Sequence, residues 1–180
     1  MINSIMKKYF AIAGLLLLFS CSNSEQKNAV GADSANAEIA AADSSSVELA
    51  DPKVQTIYND YIVLKNALVN TNFDDAKKSA AALSASLANY AGCENTAVVA
   101  DKISSAKDIA GQRKEFTHLS NDVIAMFKTA ELKSGSIYVQ HCPMANDGDG
   151  GDWLSSRKNI QNPYYGDQMM ECGAVLQEIK

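Results

Sequence analysis

Four times between Asp51 and Leu132 the apolar residues return at helical spacing, with only short links between the runs, and this periodicity constrains the fold more than any other feature. Asp51 suits an N-cap and Pro52 the first helical position, after which Val54, Ile57, Tyr58, Tyr61, Ile62, Leu64 and Leu68 form one stripe that ends near Asn70. Asn72 can cap a second helix with Phe73, Ala76, Ala80, Leu83, Leu87 and Tyr90 inward; its alanines permit close approach of a neighbour, and Gly92 ends it. A third, shorter segment follows Asn95, with Val98, Val99, Ile103 and Ala106 inward. Asp108 can cap a fourth, whose stripe is Ile109, Phe116, Leu119, Val123, Ile124, Phe127 and Leu132. Gly111 leaves its starting point open, because glycine within a helix costs about 1 kcal/mol relative to alanine. Short links favour antiparallel neighbours, so the expected fold is mainly α: an up-and-down helical bundle of about four helices over 51–134. A loop-rich segment, 135–180, with one or two short strands, is expected to pack on the bundle as part of the same domain.

Ahead of the bundle the chain changes character twice. Residues 1–20 run from Lys7 and Lys8 through an apolar block, Ala11 to Phe19, that is too short to span a bilayer and has the layout of an export signal. Leu18-Phe19-Ser20-Cys21 resembles a bacterial lipobox, which implies cleavage before Cys21 and lipidation of its thiol. Ser22 at the next position resembles the residue that lets such lipoproteins travel on to an outer membrane, facing the periplasm or the cell surface. Residues 21–50 are dominated by small and polar side chains that cannot bury enough surface to offset their ordering entropy, and they read as a tether. Without Lys7 and Lys8 the chain has 14 basic residues against 21 acidic ones, a net charge of −7. An acidic surface with no Lys/Arg stripe argues against nucleic acid as a partner.

The chemistry is concentrated after Gly135. Ser136 to Gln140 alternates as a short strand with Ile137 and Val139 on one face. The stretch from His141 to Gly173 then holds Cys142 and Cys172, one of the two histidines, the only tryptophan and two of the three prolines. So long a loop is usually functional or clipped. Trp153 and Tyr164-Tyr165 are the side chains expected to fold it back on the bundle. The acidic run 146–152 does not fit a calcium loop: counted from Asp147, the sixth position is Asp152 where glycine is wanted, and the twelfth is Lys158 where glutamate is wanted. It reads as a glycine-rich solvated turn.

The sulfur residues admit two readings. Thiolate and thioether are soft donors that suit Cu(I), and Cys142 with Met144, Met169 and Cys172 could form a two-cysteine, two-methionine pocket, with His141 as a substitute donor. Cys142 and Met144 share a face if the backbone is extended, and Met169 and Cys172 share one if that stretch turns helically. Alternatively, an exported chain meets oxidising conditions, and Cys142 with Cys172 would close a loop of about thirty residues by a disulfide, stabilising the fold by roughly 3 to 4 kcal/mol in the chain-entropy model. Methionines beside both cysteines are what a clip does not require. Elsewhere, His118 reads as a bundle-rim residue, Cys93 as a small buried residue or a loop thiol, and Arg113 as a solvated cation able to reach an acidic group of the terminal segment. No nucleophile, base and orienting acid recur at a recognisable spacing, so no enzyme is expected.

The runs "QRKEFTHLS", "YVQHCPMA" and "WLSSRKNIQNPYYGDQMMECG" resemble the exported family known as domain of unknown function 3347, over roughly residues 55 to 176. The family pattern falls on Arg113, Phe116 and Ser120 in the last helix, and on Cys142, Pro143, Met144, Trp153, Leu154, Asn162, Pro163, Tyr164, Gly166, Met169, Cys172 and Gly173. Members are sometimes attached to heavy-metal efflux adaptors, so the resemblance implies a metal context and no particular reaction. The expected function is binding of Cu(I) or Ag(I) by a lipid-anchored envelope protein, for sequestration or delivery to an efflux adaptor or a copper-accepting envelope protein. The alternative is a structural adaptor with a Cys142–Cys172 disulfide and no metal.

Overall fold

The computed structural model describes residues 47–180. The expected signal peptide, the expected lipidation site Cys21 and most of the expected tether lie outside the described residues. Four helices follow one another: α1 Pro52–Val69, α2 Phe73–Ala88, α3 Glu94–Ser105 and α4 Ile109–Phe127. Three of the caps form as the sequence predicts. Asp51 accepts the Lys53 N–H at 2.7 Å, Asn72 accepts that of Asp75 at 3.1 Å, and Asp108 accepts that of Gly111 at 2.7 Å. Gly111 therefore does not delay α4, because its amide is one of the first-turn donors that the cap satisfies.

Side-chain bonds show the up-and-down course. Lys53 at the start of α1 reaches the Asn89 carbonyl beyond the end of α2, Cys93 ahead of α3 touches Met126 near the end of α4, and Arg113 early in α4 reaches the Leu68 carbonyl late in α1. The sequence reading errs on α3. Its inward stripe is Ala97, Ala100 and Ile103, while Val98 is exposed. The helix begins at Glu94, and small alanines on this side let it lie close to the alanine-rich α2. Among the described residues no helix is long and apolar enough to cross a membrane.

The strands are more numerous than expected. β1 Glu48–Leu49 pairs antiparallel with β2 Leu132–Ser134, and Val47 and Leu49 are buried. The expected tether thus ends before its predicted limit at residue 50, and Leu132 belongs to a strand rather than to the last helix. β3 Ile137–Cys142, β4 Gly151–Ser155 and β5 Ala174–Ile179 form an antiparallel sheet in the order β4-β3-β5. On β3 side chains alternate: Ile137 and Val139 share one face with Leu154 of β4, and Gln140 and Cys142 share the other with Trp153. Both faces are covered along β3 and β4. The Tyr61 hydroxyl from α1 accepts the Leu154 N–H at 3.1 Å, and Gln140 Nε2 donates to the carbonyls of Arg157, Lys158 and Asn159 in the loop over the far face.

An aromatic series ties these layers together. Tyr61 stacks on Phe116 at 5.6 Å, Phe116 meets Tyr164 at 5.8 Å, and Tyr164 meets Trp153 edge-on at 6.0 Å. Burial pushes the phenols of Tyr61 and Tyr164 far above their ordinary value. Below pH about 10 both phenols are neutral folded or unfolded; above it the unfolded chain ionises while the fold resists, so stability is lost as pH rises. We expect the urea midpoint to fall between about pH 9 and 11. In an absorbance titration these two phenols should ionise only with unfolding; their free titration in the folded protein would contradict this burial.

Candidate metal centre

Cys142 ends β3 and Cys172 lies in the turn leading into β5, yet their sulfurs are 2.9 Å apart and both are free thiols. Cys142 is fully buried on the loop-covered face, and Cys172 is half-buried. The turn passes over the end of β3 so closely that a Cβ on Gly173 would lie 2.6 Å from the His141 carbonyl, and Gly173 also has φ +148. Only glycine allows that approach without strain.

The methionines flank this pair differently. Met144, two residues beyond Cys142, directs its backbone N–H at the Cys172 sulfur while its side chain stays 52% exposed. Met169 and Met170 are half-buried in the turn before Cys172: the Met169 carbonyl accepts the Cys172 N–H at 3.1 Å, and the Met170 carbonyl accepts the Asn162 N–H at 2.9 Å. The Cys172 thiol is held above its ordinary pKa by its bond to the Cys142 thiol, then by burial and by the charge of Cys142, against the opposing Met144 N–H.

His141 does not join the sulfurs. As the neighbour of Cys142 on a strand it projects from the opposite face, where its Nδ1 lies 2.7 Å from Asp152 Oδ1. Spacing in the sequence placed it beside Cys142; strand geometry separates them. Sequence reasoning gave no role to Asp152, and it gave Asn162 only a place in the family pattern. Asn162-Pro163 carries a turn signal, and the Asn162 Oδ1 accepts the Tyr164 N–H at 2.8 Å, an Asx-turn.

The family DUF3347, described as a protein of unknown function, matches residues 57–135. Over these residues the chain is similar to the DUF3347 family. The DUF3347 match covers the bundle from within α1 to Gly135 and stops short of Cys142 and Cys172, so the expected extent of the resemblance, to about residue 176, is matched only as far as Gly135. No curated protein and no solved structure matches the chain.

Within the DUF3347 match, Arg113 and Phe116 of α4 reach the terminal segment, and Ser120 reaches Tyr61 of α1. Arg113 donates to the Pro163 carbonyl at 2.9 Å and to the Leu68 carbonyl and Thr71 hydroxyl, each at 3.0 Å. It is therefore a half-buried junction between α1, α4 and the loop, not the solvated cation expected. Burial lowers its pKa, and nearby Asp167 opposes that shift. Phe116 meets Tyr164, and the Ser120 hydroxyl lies 2.7 Å from that of Tyr61. His118 is exposed and lines an open groove of about 590 Å³ with Lys114, Asn121, Asp147 and Asp149. Cys93 is half-buried against Met126 Sδ at 4.0 Å, and burial, then Glu94 and Asp122, raise its pKa.

Proposed function

We propose that this protein binds a soft monovalent ion, Cu(I) or Ag(I), through the thiolates of Cys142 and Cys172, with the thioethers of Met144 and Met169 as the further donors. The observation that carries this reading is the 2.9 Å contact of the two free thiols. Among the described residues no group of three or more His, Cys, Asp or Glu side chains converges; methionine donors beside two thiolates would favour Cu(I) over zinc. A bridging ion with metal–sulfur bonds of about 2.3 Å needs the sulfurs roughly 3.8 Å apart in a tetrahedral site. They must part by about 1 Å, and the half-buried Cys172 in its turn is the partner able to move. The ion is cargo. An exported, lipid-anchored protein with such a site would sequester it or pass it to a heavy-metal efflux adaptor or a copper-accepting envelope protein.

Titration of the reduced protein with Cu(I) against a competing chelator tests this. One ion should bind per chain, and Cys142→Ser should abolish competition. Because thiols lose protons on binding and that of Cys172 is held up, affinity should rise with pH between about 6 and 9. Absence of stoichiometric binding, or binding unchanged in Cys142→Ser, overturns the proposal.

A second reading is favoured by the same contact: closing to a disulfide at about 2.05 Å also needs a movement of only about 1 Å. The protein would then be a clipped envelope adaptor. Mass spectrometry without reduction, on protein taken from its own compartment, separates the two: a quantitative Cys142–Cys172 bridge supports the clip, and free thiols leave the dithiol available to metal.

A further inference from the structure

Asn162 is fully buried under the terminal loop, and both ends of its carboxamide are engaged there. Nδ2 donates to the Cys172 carbonyl at 3.0 Å, and Oδ1 accepts the Tyr164 N–H at 2.8 Å. Its backbone is engaged as well, with N–H to the Met170 carbonyl at 2.9 Å and carbonyl to the Gly166 N–H at 3.0 Å. One residue thereby joins the start of the turn, its middle and the backbone of a thiol-bearing residue. The two thiols lie 2.9 Å apart with no covalent bond between them, at a turn that these hydrogen bonds hold.

From this geometry we infer that Asn162 is a positioning residue for the Cys142–Cys172 dithiol, holding the reduced thiols in register before a metal ion or a disulfide joins them. The inference rests on the dithiol of the proposed function, but its test contains no metal, so failure of Cu(I) binding and failure of positioning are separate results. Bringing together residues about thirty apart costs closure entropy. A loop ordered beforehand has already met that cost, which raises the effective concentration of one thiol at the other. Both disulfide formation and chelation gain by it. Leaving the Cys172 carbonyl without its partner costs enough to lower this advantage by about tenfold.

The full chain is equilibrated with reduced and oxidised glutathione, quenched by alkylation, and the oxidised fraction read by mass. In this exchange the protein dithiol and one glutathione disulfide give the protein disulfide and two glutathione thiols, which carry the two protons. Asn162→Ala should shift the equilibrium toward the dithiol by about tenfold, equivalent to about 30 mV. Tyr164→Phe, which removes the phenol's bond to the Asp152 carbonyl from the same loop, should lower thermal stability but leave the equilibrium within about twofold. An Asn162→Ala equilibrium within about twofold of the parent, or an equal shift in Tyr164→Phe, overturns the inference. Hydrogen exchange on the unsubstituted protein supplies a readout that does not depend on the variant folding: the Tyr164 and Gly166 amides should stay protected after reduction. Loss of their protection on reduction would show that the disulfide, not Asn162, orders the turn, and would equally overturn it.

Discussion

Trp153→Ala should lower the folding free energy by about 3–5 kcal/mol, the range for deleting a fully buried large aromatic. Trp153 stands on the loop-covered face of the sheet beside Cys142, edge-on to Tyr164, and a Cβ on Gly173 would lie 3.1 Å from its Cη2. Its removal empties the space between sheet and loop, and the aromatic series to Tyr61 loses its last member. Domains of this size are stable by about 5–15 kcal/mol, so the loss amounts to a large share of the whole. Thermal melts followed by far-ultraviolet dichroism should show a fall of roughly 10–20 °C. A loss below about 1 kcal/mol would mean that the terminal loop is not an integral part of the core.

Gly166→Ala carries the second large effect, and it acts at the junction held by Arg113. Gly166 has φ +58, and an added Cβ would collide with the Thr71 hydroxyl, lie 2.7 Å from the Val69 carbonyl and lie 3.0 Å from Arg113 Nη2. The left-handed backbone costs an ordinary residue about 1 kcal/mol, and overpacking adds about 1–3. The expected total is about 2–4 kcal/mol. Gly92→Ala is the internal comparison: Gly92 has φ +89 with nothing within 4 Å of an added Cβ, so it should show the conformational cost alone. Equal losses in the two variants, read from urea midpoints, would contradict the close approach of the loop to the end of α1. The effect of Gly166→Ala on the dithiol should follow from displacement of the loop, since Gly166 donates its N–H to the Asn162 carbonyl.

Caps and stripes made the helices legible because both are local. Asp51, Asn72 and Asp108 bond amides within three residues, and the buried positions of α1 recur every three or four residues. Where α3 departs from expectation, side-chain size misled: Val98 looked like core, but the stripe that faces α2 is made of alanines. The sheet was mostly invisible. β1 pairs with β2 across more than eighty residues, and β5 pairs with β3 although Val175 and Leu176 are exposed and show no clean alternation. Its register shift opposite Gln140 breaks the period that would have marked a strand.

At the candidate site the grouping of Cys142, Met144, Met169 and Cys172 along the chain was plain, and the contact of the two thiols agrees with it. The direction in which each side chain points was not readable. Amino-acid order alone determined where three of the four helices begin, which residues carry soft donor atoms, and how acidic the chain is, since these depend on neighbours a few bonds away. Tertiary pairing decided that His141 turns to Asp152 while Cys142 meets Cys172, that Arg113 serves backbone carbonyls, and that Asn162 holds the turn. Those outcomes depend on strand register and loop closure, which bring together groups tens of residues apart and are set by packing of the whole core.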